Sequence, residues 1–240
     1  MTDTHLTPPL TDSTGDERWI RLSRVTGLLG LAAFALVFAP IIAISTVGEP
    51  PFTATAAEAQ AFFRSASPGW VQAAQAVTAL AGIGLLWFVV GLALLLGRAE
   101  GAPPWRAAVA GVSGLLLPAY LLIDVSWDAA AYGGAEIEPG LASYAFDVGN
   151  LGFANAWLAM GSFAVAAGWL VLETRVVGRW LGWWAVMAGV GLVLCRFVWT
   201  SGAWYAPYFL FWIWVVLISV QLIRGRVGRD RPSKEEMSHA

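Results

Sequence analysis

Six long apolar blocks, at about residues 22–47, 70–96, 106–131, 141–172, 181–200 and 205–223, decide most of what this 240-residue chain can become. Each reaches or nearly reaches the ~20 residues an α-helix needs to cross a bilayer core, and the longer ones imply tilt or protruding ends. Backbone in hydrocarbon has to satisfy its own hydrogen bonds. The expected fold is therefore all-α, a polytopic transmembrane bundle of six helices forming one domain over residues 18–224. The composition agrees, with 58% hydrophobic and 12% charged residues, about half the charge of a soluble domain. Residues 1–17 are polar and residues 225–240 basic, and both read as disordered tails.

Orientation follows from charge. Twelve of the 14 Lys and Arg residues lie before or at the start of the first block, in or at the edge of the second–third or fourth–fifth loop, or after the last block; the other two are Arg64 and Arg196. By the positive-inside rule both termini face the cytoplasm. Trp19, Trp105, Trp180, Trp183 and Trp184 then mark the inner boundary, and Trp70, Trp127, Trp199, Trp204 and Tyr205 the outer one. Between the first two spans, Thr55-Ala56-Ala57-Glu58 is a capping box, which predicts a short extracytoplasmic helix to about Ala66, stopped by Pro68. Phe62 and Phe63 would seat it on the membrane surface or make it a lid.

The hairpin of spans two and three echoes that of spans four and five. Gly91-Leu92-Ala93-Leu94-Leu95-Leu96-Gly97-Arg98 leads through Trp105-Arg106 to Ala110-Gly111-Val112-Ser113-Gly114. Gly168-Trp169-Leu170-Val171-Leu172 leads through Arg179-Trp180-Leu181-Gly182 to Ala188-Gly189-Val190-Gly191. A parallel duplication would produce this pattern, and so would chance likeness between Ala/Gly-rich helices. Pairs such as Ala110/Gly114, Ala164/Gly168 and Ala185/Gly189 have the spacing that permits close helix contact.

The Arg179-Trp180-Leu181-Gly182 loop resembles that of a family of small six-span bacterial integral membrane proteins of the domain-of-unknown-function type. Gly48-Glu49-Pro50-Pro51-Phe52-Thr53-Ala54-Thr55, Ser126-Trp127-Asp128-Ala129-Ala130 and Phe146-Asp147-Val148-Gly149-Asn150 carry the same likeness. It extends over residues 19–222 and implies a multi-pass protein of the bacterial cytoplasmic membrane. It implies no activity.

Ionisable groups inside apolar spans cost roughly 2.5–3.5 kcal/mol each on insertion scales and so mark a pathway, a pocket or an ion pair. Tyr120, Asp124 and Asp128 follow i, i+4, i+8 in span three and share one helix face; Pro118 just before them should bend that helix. Asp147 and Asn150 open span four, and Arg196 and Trp199 close span five. Counted at ~1.5 Å per residue, Asp124, Asp147 and Arg196 come to similar depth, which predicts an Arg196 ion pair with Asp124 or Asp147. Three acids against one base leave net negative charge, suited to a small cation or proton.

The competing readings are a structural or interaction protein whose cluster only pairs helices, and a membrane-embedded enzyme. No Ser-His-Asp set, metal cluster or phosphate loop supports the enzyme. Cys195 is the single cysteine and His5 and His239 lie in the tails, so no disulfide, haem or resident metal is expected. No basic patch with interleaved aromatics points to nucleic acid. The expected surroundings are the lipid bilayer; no protein partner or oligomeric state is specified.

Overall fold

In the computed structural model, which describes residues 13–65, 68–123 and 125–225, the apolar blocks become helices punctuated by glycine and proline. The helices are α1 (Ser13–Val47), α2 (Ala56–Ser65), α3 (Pro68–Glu100), α4 (Trp105–Ile123), α5 (Ser126–Gly133), α6 (Pro139–Thr174), α7 (Arg179–Cys195) and α8 (Tyr205–Ile223). Gly48 and Gly101, with φ of 84° and 83°, take the left-handed turn that ends α1 and α3. Pro68 and Pro139 open α3 and α6, where a missing N–H costs nothing. No strand occurs among the described residues, and six helical segments are long and apolar enough to cross a membrane.

Those six close into a ring. α1 packs on α3, α3 on α4, α4 on α6, α6 on α7, α7 on α8, and α8 back on α1. Ser23 Oγ donates to Leu222 O at 2.8 Å, so the start of α1 lies beside the end of α8. This end is called terminal below, and the opposite end distal. The ring interior is filled by fully buried Phe88, Trp157, Met160, Phe163 and Trp214. Burying an aromatic or long aliphatic side chain is worth about 1.5–3 kcal/mol in water; in lipid the gain comes from tight packing instead.

α6 and α7 approach closely at two reciprocal glycine pairs. A Cβ on Gly161 would sit 2.7 Å from Gly189 O, and one on Gly168 would sit 2.7 Å from Gly182 O; the reverse distances are 2.7 and 2.9 Å. The glycines are seven apart on each helix, so both pairs fall on one face, with Ala164 and Ala185 buried between them. In the echoing hairpin Gly111 faces Ala93 and Gly97 faces Ala107, a looser version of the same contact. Continued distally, the α6–α7 register sets Asn155 opposite the end of α7. Residues 139–153 of α6 therefore run on alone for roughly 20 Å. Against that extension pack α2 and α5, with a second small core of Phe63, Val71, Ala131, Ile137 and Phe146. Gln60 Nε2 donates to Ile137 O at 2.6 Å, tying α2 to the lead-in of α6.

Two expectations change. Residues 13–17, assigned to the N-terminal tail, belong to α1, where Asp16 pairs with Arg98 at 3.1 Å and Arg98 lies 4.6 Å over the Trp19 ring. The remaining tail positions 1–12 and 226–240, with His5 and His239, lie outside the described residues. Span three is also not one helix: α4 stops at Ile123 and α5 begins at Ser126. Pro118 removes one backbone hydrogen bond from the last turns of α4, so the chain breaks there at little further cost. Tyr120 and Asp128 consequently sit on separate helices, and Asp124 lies outside the described residues.

Candidate functional site

Where the ring ends and the distal cap of α2 and α5 begins, the helices leave a cavity of about 640 Å³. The distal halves of α1, α3, α4, α6 and α8 form its lower wall; residues 49–52, α2 and α5 close over it. Two aromatic nests line much of it. In one, Phe52 stacks on Trp199 and Trp204 with centroids 5.5 and 5.7 Å away, and Trp204 stacks on Trp157 and Tyr205 at 5.2 and 3.9 Å. In the other, Trp127 stacks on Phe146 at 5.4 Å while Phe62 and Phe63 meet it edge-on. The cap is held by its own sequence: the Thr55 N–H donates to Glu58 Oε2 at 2.7 Å and the Glu58 N–H to Thr55 Oγ1 at 3.4 Å, the capping box expected before α2.

The acidic side chains on the cavity are Asp128 from α5 and Glu49 from the loop after α1; its neutral polar residues include Ser126 from α5, Tyr120 from α4, Asn150 from α6, Ser45 from α1, Thr78 from α3, and Thr200 and Ser201 before α8. Tyr120 Oη donates to Gly149 O at 3.4 Å. Glu49 keeps part of its side chain in solvent, yet desolvation by the surrounding residues raises its carboxyl pKa above the ordinary value. Glu58 shifts the other way, lowered first by the Thr55 backbone N–H and then by the Thr55 hydroxyl.

The expected cluster is thus divided. Tyr120, Asp128 and Asn150 line the cavity; Trp199 reaches it through Phe52; Asp147 and Arg196 do not line it. Arg196 opens a 3₁₀ turn after α7 and its Nε donates to Asn155 Oδ1 at 2.8 Å. No ion pair joins it to Asp147: among the described residues the ion pairs are Arg98–Asp16, Arg106–Glu100 and Arg106–Glu173. The reason is depth. Asp147 precedes Asn155 by eight residues on α6, roughly 12 Å farther along the axis, and it is exposed on the overhanging part of that helix. For Asp147 the matched-depth argument failed because it measured each residue from its own helix end, and α6 overshoots α7; its Asp124 half lies outside the described residues.

Three features were missed. Glu49 stands between a helix-ending glycine and Pro50-Pro51, a local signal that it is held against the bundle. The distal tryptophans were expected as outer-boundary anchors, but Trp127, Trp199 and Trp204 turn inward as the cavity's aromatic nests. At the terminal end Arg106 is clamped by buried Glu100 at 2.8 Å and by Glu173, with its guanidinium over the Trp105 and Trp169 rings at 5.7 and 5.3 Å. Glu100 also accepts the backbone N–H groups of Arg106 and Ala107, capping α4.

In comparison with known proteins, no protein-family model matches the chain, and neither does any curated protein or solved structure.

Proposed function

We propose that this is a multi-pass protein of the bacterial cytoplasmic membrane, with both termini inside, whose distal cavity opens toward the outer face and captures an organic cation. The likeness to six-span bacterial membrane proteins and the sorting of Lys and Arg support the orientation. In this orientation α2 is the extracytoplasmic helix, and Arg196 lies near the outer boundary, within reach of water. The single observation that carries the function is the 640 Å³ cavity in which aromatic faces converge with Asp128 and Glu49. Ring faces attract cations by about 0.5–2 kcal/mol each as water is excluded, and the two acids supply charge that an apolar guest alone would not need. A guest with a cationic centre and an apolar body matches both.

The same geometry argues against a conduit, because the ring below the cavity is plugged by Trp157, Phe163 and Trp214. The competing reading is a structural or interaction protein, and the satisfied Arg196–Asn155 pair favours it as far as that pair reaches. A thermal-shift screen of quaternary ammonium compounds, amines, guanidinium compounds and metal ions separates the two. Organic cations should raise the melting temperature of the wild type, and Asp128→Asn should lose about tenfold in affinity, ~1.4 kcal/mol, while melting normally without ligand. If no cation shifts either protein across the pH range, the structural reading stands.

A further inference from the structure

Two residues that line the cavity where α5 meets α6 carry buried hydrogen-bond donors that no described residue uses. Gly149 allows the contact that builds it: a Cβ there would fall 2.3 Å from Trp127 Cδ1 and 2.4 Å from Trp127 Nε1, so the indole edge lies directly on the α6 backbone. The next residue, Asn150, is only 3% exposed. Its Nδ2 and the neighbouring Trp127 Nε1 are both buried, and neither has an acceptor among the described residues. The nearby Gly149 carbonyl already accepts from Tyr120. Buried donors are normally paired, and leaving one unpaired costs about 1–3 kcal/mol. The other buried side-chain groups without partners, the indole N–H groups of Trp157, Trp212 and Trp214 and the Ser219 hydroxyl, are not on the cavity wall. Among the described residues, only Trp127 and Asn150 combine an unpaired buried side-chain donor with a place on the cavity lining.

We infer that the guest carries an acceptor oxygen close to its cationic centre, so that Asn150 and Trp127 read a carbonyl or ether while the aromatic faces and the two acids hold the charge. The class is an acylated or alkylated amino alcohol: ammonium, short spacer, ester or amide oxygen, then an apolar chain. This rests on the cavity being an organic-cation site and adds the acceptor to it. Asp128 sits one residue after Trp127 on α5, which sets the acid beside the donor wall. The arrangement would bind a plain alkylammonium with its charge satisfied and its donors unmet, and would favour the oxygen-bearing analogue of the same length.

The test is calorimetric titration of the full-length protein in neutral maltoside detergent with decanoylcholine and with tridecyltrimethylammonium, which has methylenes in place of the ester. The wild type should bind decanoylcholine at least tenfold more tightly. Asn150→Leu should erase that preference, so that decanoylcholine and tridecyltrimethylammonium bind this variant with equal affinity. Trp127→Phe, which keeps the ring and deletes the N–H, should reduce the preference severalfold and serves if Asn150→Leu fails to fold. Equal binding of the two probes to the wild type would overturn the acceptor and leave the cation site standing. A preference that survives in both variants would also overturn it. Binding of neither probe would remove the cation site and the acceptor together.

Discussion

At the terminal end of the bundle Trp105, Trp180 and Trp183 are each more than half exposed, whereas at the distal end Trp127, Trp199 and Trp204 turn inward onto Phe146, Phe52 and Trp157. The two ends spend their polar groups just as differently. At the terminal end Glu100, Arg106 and Glu173 form one ion-pair clamp and Asp16 with Arg98 another. Distal polar groups surround a void, and two of their donors have no acceptor among the described residues. Under the proposed function the rings and donors around the distal opening serve a guest, whereas the terminal clamps serve stability.

Breaking the terminal clamp should have the largest effect. Arg106→Met leaves Glu100, whose side chain is 3% exposed, with only the backbone N–H groups of residues 106 and 107 as partners, and should cost up to about 3 kcal/mol. A large fall in melting temperature is expected, with part of it recovered by adding Glu100→Gln; cation affinity measured below the new melting point should not change.

The glycine contacts of the ring come next. Gly168→Val forces a side chain onto the Gly182 carbonyl and should cost about 1–3 kcal/mol. Gly140→Ala, at the distal start of α6 where nothing lies within 4 Å, should be neutral or stabilise by up to about 1 kcal/mol. Similar losses in both variants, read by thermal unfolding in detergent, would remove the distinction between a tight ring and a looser distal region.

The smallest effects concern two distal acids that titrate in opposite senses. Glu49 has a raised pKa, so its contribution to stability is complete below its unfolded pKa and is lost as pH rises through the folded value. Glu58 has a lowered pKa, so its contribution is present above its unfolded pKa and lost as pH falls through the folded value. Because a proton on Glu49 competes with a cation in the cavity, capture should weaken from neutrality down through that raised pKa. Glu49→Gln should flatten this part of the affinity profile, and Glu58→Gln should not.

What could be read in advance had a local cause. Hydrophobic run length located the helices, α8 spanning the predicted residues 205–223, and Thr55 with Glu58 announced α2 because a capping box involves residues three apart. The small-residue pairs Ala164/Gly168 and Ala185/Gly189 lie on the predicted close contact for the same reason. The site depended on register between helices, which no local pattern encodes. Arg196 meets Asn155 rather than Asp147 because α6 runs past α7, and that offset is set by Gly161 facing Gly189. The inward turn of Trp127 likewise depends on the break after Ile123 and on Gly149 leaving room for the indole.

The proposed guest, an organic cation, would lie in the cavity between the distal cap and the ring. Photocrosslinking tests this most directly: an alkyltrimethylammonium carrying a diazirine in its chain is irradiated with the protein in neutral detergent, and the labelled peptides are mapped by mass spectrometry. Labelling should concentrate on residues 49–52, α2, α5 and the distal parts of α1 and α8, should be competed by unlabelled quaternary ammonium, and should fall in an Asp128→Asn/Glu49→Gln double variant. Labelling spread over the outward faces of α3, α4 and α7, neither competed nor altered in that variant, would contradict it.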